Sequence, residues 1–160
     1  MKDFQEKIER YMDARMPMLY IDTFEDDIAT AEIKHIAQRK RRGILEWSMQ
    51  GFFFEENGSI YVQSNADLAE TLKQLLMDKE SLINKVLIIK DISSFFDMRK
   101  ENTHSTLPLI ISQLKLLSQQ INKGLLSDDG IDDFTIFIVA PLMPIPKELE
   151  CYTTIINMDY

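Results

Sequence analysis

The sequence has very little of the residues that staple, hinge or anchor unusual chains. A single cysteine, Cys151, excludes an internal disulfide and any multi-cysteine zinc site. It is read here as a buried, inert thiol in a reducing compartment. Five glycines and five prolines in 160 residues exclude a collagen-like or low-complexity chain. No segment reaches the ~20 apolar residues of a membrane span, because the richest run, Phe134 to Ile145, is cut by Pro141 and Pro144. The N-terminal residues from Met1 to Lys7 mix charges where a secretory signal needs an apolar stretch. Cationic residues are also in deficit: 18 Lys and Arg against 26 Asp and Glu give a formal charge of −8, which disfavours nucleic-acid and anionic-membrane binding. These absences predict a soluble cytoplasmic chain. At 160 residues it is one domain, 1–160, and its 45% hydrophobic share is enough for a sizeable core.

What is present is an alternation of helix and strand. Phe4, Ile8, Tyr11 and Met12 recur at helical spacing before Pro17. The strand-length run Met18–Ile21 follows, and Thr23-Phe24-Glu25-Asp26 has the form of a helix start. The second helix is expected to turn Ile28, Ile33, Ile36 and Ala37 inward and to end at Arg39–Arg42 and Gly43, where cations suit the helix dipole. Ile44–Trp47 reads as a strand, and residues 52–62 as a hairpin turning on Asn57-Gly58. Asn65 is expected to cap a helix through Met77. Val86–Ile89 and Phe134–Ala140 are continuous apolar runs of the kind buried on both faces of a parallel sheet. Between them lies a helix starting near Ser105, with Leu107, Ile110, Ile111, Leu114, Leu117 and Ile121 inward. A short helix at 146–150 and a strand at 154–158 finish the pattern. Five strands alternating with helices predict an α/β fold, a three-layer α/β/α arrangement around a mostly parallel five-stranded sheet with a hairpin insertion near 52–62.

Ligands of such sheets bind beyond the carboxyl ends of the strands. A phosphate-binding turn there needs glycines for close backbone approach and a lysine for charge. The turn after the first strand instead reads Asp22-Thr23-Phe24-Glu25-Asp26-Asp27. Its carboxylates would repel a triphosphate, and helix capping explains them more simply than catalysis. Asp91 ends the third strand, where an ATPase holds magnesium, but its neighbour is Ile92 rather than an activating glutamate. Ala140-Pro141 follows the fourth strand and offers no polar side chain. ATP hydrolysis by this chain is therefore not expected, and no catalytic, cofactor-binding or metal residue is assigned.

The remaining candidates have bland explanations. His35 and His104 lack metal-ligand spacing, and the acidic stretch Asp128 to Asp133 fails as a calcium loop because counting back from Gly130 puts Leu125 at the first ligand position. Trp47 is read as core. Phe52, Phe53 and Phe54 form the candidate interface, since consecutive hairpin side chains point to opposite faces.

Tyr11-Met12-Asp13-Ala14-Arg15 through Leu19-Tyr20-Ile21-Asp22-Thr23-Phe24-Glu25, Ile44-Leu45-Glu46-Trp47-Ser48 with Gly51, Val86 to Asp91, and Ile145 to Glu150 into Ile155-Ile156 span nearly the whole chain. Together they resemble the N-terminal, P-loop-lacking domain of AAA-family ATPases of bacteria, cyanobacteria and chloroplasts, typified by a chloroplast open reading frame. The resemblance implies a sheet order of 5-1-4-3-2, which periodicity does not choose over other doubly wound orders. It also implies a domain excised from a longer ATPase. ATP and Mg would then belong to a downstream AAA module beyond Tyr160, and homo-oligomerisation would run through that module. The resulting expectation is a non-catalytic interaction and regulatory domain without a cofactor of its own. The alternative is a receiver-like phosphoacceptor or Mg-binding domain, with Asp91 as nucleophile and Asp22, Asp26 or Asp27 as metal ligands. Against it, Ala140 replaces the expected hydroxyl residue and no lysine follows Lys147.

Overall fold

The computed structural model describes residues 2–56, 58–64, 66–92, 107–124 and 128–158. Its elements run α1 (Lys2–Asp13), β1 (Met18–Asp22), α2 (Asp26–Arg39), β2 (Gly43–Ser48), β3 (Gly51–Glu56), β4 (Ser59–Ser64) and α3 (Leu68–Met77). A 3-10 turn (Lys79–Leu82), β5 (Lys85–Lys90), α4 (Leu107–Lys123), β6 (Phe134–Ala140), α5 (Lys147–Glu150) and β7 (Thr153–Asn157) complete the chain.

Alternation within each strand divides the apolar residues between the two faces of one sheet. Leu19, Ile21, Val86, Ile88, Phe137, Val139 and Ile156 face α1 and α2, where they meet Phe4, Ile8, Met12, Ile33 and Ile36. Met18, Tyr20, Trp47, Leu87, Ile89, Ile136 and Ile138 face α3 and α4, against Leu68, Leu72, Ile110, Leu114 and Leu117. The result is the expected α/β/α layering. Ion pairs fasten α1 to α2 at their solvent side, Arg39 to Glu9 and Lys40 to Asp13, and Gln5 hydrogen-bonds Glu32.

The sheet has seven strands rather than five, in the order β4-β3-β2-β5-β6-β1-β7. Its parallel strands, β7-β1-β6-β5-β2, run in the anticipated sequence, and the departure lies in the hairpin, which extends the sheet at one edge. A two-stranded ribbon is marginal by itself. Antiparallel pairing of β3 with β2 sets Phe54 opposite Leu45 and Phe52 opposite Trp47, and gives the ribbon a third strand and an apolar face. The tight turn between Ser48 and Gly51 makes this possible: Gly51 sits at φ 147°, and a Cβ there would lie 2.6 Å from the Gln63 carbonyl oxygen.

Several local expectations are corrected. Ile28 is 43% exposed because the inward stripe of α2 runs through Ala29, Thr30, Ile33, Ile36 and Ala37, one position off it. Helix α3 is capped by Asp67, whose carboxylate accepts from the Glu70 N–H at 3.0 Å, and not by Asn65, which lies outside the described residues. Cys151 is exposed, in the turn between α5 and β7, where no core layer reaches it. Ser105, His104, Asn57, Leu125, Ser127 and Tyr160 lie outside the described residues.

Candidate functional site

The carboxyl ends of β1, β5 and β6 form the crest where a doubly wound sheet holds its ligand. The connection from β1 to α2 is three residues long, Thr23 to Glu25, too short to wrap an anion. Two of its three backbone donors are already used. The Thr23 N–H donates to the Ala140 carbonyl at 3.2 Å, and the Glu25 N–H donates to Thr23 Oγ1 at 2.9 Å. Thr23 is thus a buried turn residue rather than the helix cap that the sequence suggested. Glu25 occupies the cap position without a side-chain hydrogen bond, and Asp26 and Asp27 fill the first turn, where negative charge complements the helix dipole.

Asp22 is committed in another direction. Its Oδ1 accepts from the Leu142 N–H at 2.9 Å and its carbonyl from the Met158 N–H at 3.3 Å, so it ties β1 to the segments after β6 and β7. Asp91, in the left-handed region at φ 61°, accepts from the Met49 N–H through Oδ2 at 3.0 Å and thereby fixes the β2–β3 turn. Strand β6 separates the two aspartates, and adjacent strands are ~4.8 Å apart, so their Cα atoms stand roughly 10 Å from each other. Among the described residues no group of three or more His, Cys, Asp or Glu could hold one cation. These placements do not assemble the magnesium cluster of a receiver.

The cations of the crest are also matched. Lys90 Nζ lies 3.8 Å from Asp27 Oδ1 and 3.7 Å from Glu46 Oε2, while Lys34 Nζ lies 2.8 Å from Glu46 Oε1. Behind them Tyr20 is fully buried and donates its hydroxyl to the Pro141 carbonyl at 2.8 Å. Burial pushes the phenol above its usual range; a hydrogen bond with the Met143 backbone opposes this, and the Asp22 charge adds to it. A triphosphate placed at this turn would meet amides engaged at Thr23 and Glu25, no glycine, and a surplus of carboxylate.

The crest also exposes apolar side chains. Phe24, after β1, is 88% accessible; Leu142, after the adjacent β6, is also exposed, as is Met49 after the more distant β2. Sequence reasoning passed over Phe24 inside the cap-like stretch. Its isolation among acids was the available signal.

On the hairpin, Phe52 and Phe54 share one face and stack with centroids 5.6 Å apart, while Phe53 takes the other face beside Lys34 and Gln38. Phe52 is buried and the other two rings are half-buried. The exposed apolar side chains belong to β4: Ile60, Tyr61 and Val62. Of the basic run Arg39–Arg42, Arg39 and Lys40 pair with α1, Arg41 is exposed, and Arg42 turns inward. Arg42 donates to Thr135 Oγ1 at 2.8 Å and lies 3.7 Å from Asp133, and the half-buried guanidinium has its pKa lowered by desolvation. In the acidic stretch, Asp132 pairs with Arg15, and Asp129 lies 3.7 Å from Lys79. His35 is exposed on α2. Among the described residues no helix is long and apolar enough to cross a membrane.

No curated protein matched the chain in a sequence search. Residues 4–158 match the family described as the SpoVK-like AAA ATPase, N-terminal domain, and the chain belongs to that family.

Proposed function

We propose that this chain is a non-catalytic interaction and regulatory domain that positions a partner, or a neighbouring subunit, for an AAA module lying beyond Tyr160 in the same polypeptide. ATP and Mg would be bound and used in that module. The observation that carries the reading is the β1–α2 turn, whose Thr23 and Glu25 N–H groups are spent on Ala140 and Thr23 and whose outer surface presents Phe24 among Glu25, Asp26 and Asp27. A crest of this kind repels a nucleotide and suits a protein surface with an apolar pocket and cationic rim.

Titration calorimetry of this chain with Mg-ATP tests the first half. No saturable heat is expected, and a dissociation constant tighter than about 100 µM, on the order of −5.5 kcal/mol, overturns the reading. Phe24→Ser tests the second half in the full polypeptide. It should leave the melting temperature of the domain unchanged while altering the ATPase rate or its stimulation by a partner; unchanged ATPase behaviour would remove the regulatory role from this crest.

A further inference from the structure

We infer that the open edge of β4 pairs with the same edge of a second copy of this chain, joining two seven-stranded sheets across a two-fold axis. β4 is the terminal strand of the sheet, and all six of its residues are exposed. Edge strands are ordinarily protected by charge, proline or a bulge. Ser59-Ile60-Tyr61-Val62-Gln63-Ser64 has no charged residue and no proline, and it pairs one for one with β3, from Glu56 opposite Ser59 to Gly51 opposite Ser64, so it contains no bulge. In a chain with a formal charge of −8, this edge brings two copies together without setting carboxylate against carboxylate on the pairing strands.

The strand is also complementary to itself in one antiparallel register. A two-fold axis normal to the sheet at Tyr61 sets Tyr61 opposite Tyr61 of the second copy, Ile60 opposite Val62, and Ser59 opposite Gln63. Apolar thus meets apolar and polar meets polar. Shifting the axis to Val62 would set Tyr61 against Gln63 and Ile60 against Ser64; shifting it to Ile60 would set Tyr61 against Ser59. The neighbouring strand favours the Tyr61 axis as well. Phe54 and Tyr61 already stack at 5.4 Å, so the pairing continues as four aromatic side chains in a row across the axis. On the other face Phe53, opposite Val62, extends the Val62–Ile60 contact. About four to six interchain backbone hydrogen bonds complete the ladder. This association needs no ATPase module and stands apart from the crest proposed above.

Sedimentation equilibrium of the chain over a wide concentration range should show a monomer–dimer equilibrium. Ile60→Lys alone and Val62→Glu alone should each weaken it at least tenfold, because each sets a charge against an apolar side chain of the second copy. Mixing the two variants should restore association, since this register places the introduced lysine opposite the introduced glutamate. Circular dichroism melts of each variant verify that the fold persists. In a Cys151→Ser background, Tyr61→Cys should oxidise rapidly to a symmetric disulfide dimer while Ser59→Cys does not, a readout that requires no disruptive charge. A chain that stays monomeric at every concentration overturns the proposal. So does a dimer that survives Ile60→Lys and Val62→Glu but is lost with Ile155→Lys on β7, the strand at the opposite edge.

Discussion

Tyr20 shows how a side chain in the wall of the crest contributes to stability without taking part in chemistry. Its ring is fully buried and its hydroxyl is satisfied by the Pro141 carbonyl, 121 residues away in sequence. Tyr20→Phe should cost about 1–2 kcal/mol at neutral pH, measured by urea unfolding, because the Pro141 carbonyl loses its donor. The pH dependence follows from the raised folded-state pKa. The folded chain holds the phenolic proton more tightly than the unfolded chain, so this contribution is complete below pH ~10 and falls as the pH rises through the folded-state value. Tyr20→Phe should remove that part of the alkaline loss, and identical alkaline slopes for the two proteins would refute the assignment. Single positions also mark where sequence reasoning stops. Asp22 and Asp91 were legible as strand-end carboxylates, but their partners, the Leu142 and Met49 N–H groups, lie 120 and 42 residues away. No local pattern encodes such a pairing.

Elements were read with uneven success for a physical reason. The continuous apolar runs of β5 and β6 and the stripes of α1, α3 and α4 are visible because burial on a fixed period leaves a trace in the sequence. Helix starts left a weaker trace. Thr23 and Asn65 both looked like caps, and the chain instead enters α2 through Glu25 and α3 through Asp67, since capping depends on backbone angles that a residue type only favours. The role of β4 was hidden for a different reason: the same alternation suits a covered strand and a bare one, and sheet order decides between them. Gly51 is the pivot of this region. Its φ of 147° and the 2.6 Å approach of the Gln63 carbonyl predict that Gly51→Ala costs about 1–3 kcal/mol, and thermal unfolding checks this. Hydrogen exchange in β3 and β4 should rise first, with β6 still protected; uniform loss of protection across the sheet would show that the hairpin is not a separable unit.

At the scale of the whole molecule, one sheet separates two cores, with Ile8 in one and Ile110 in the other. Both side chains are almost fully buried. Ile8→Val and Ile110→Val should each cost about 0.5–1.5 kcal/mol. Since the sheet stands between them, the double variant should equal the sum within about 0.5 kcal/mol. Denaturation should nonetheless remain a single transition by fluorescence and circular dichroism, because the same strands line both cores. Two resolved transitions would contradict this.

The position of β1 has a consequence for the growing chain. Residues 18–22 emerge early from the ribosome, yet β1 lies between β6 and β7, strands made of residues 134–140 and 153–157. Until those residues appear, Leu19, Tyr20 and Ile21 have no neighbour on either side, and the nascent sheet can close only from β2 to β5 and the hairpin. Completion of the sheet is therefore deferred until β6 and β7 are made. Over that interval the unpaired β1 is the stretch most in need of a chaperone.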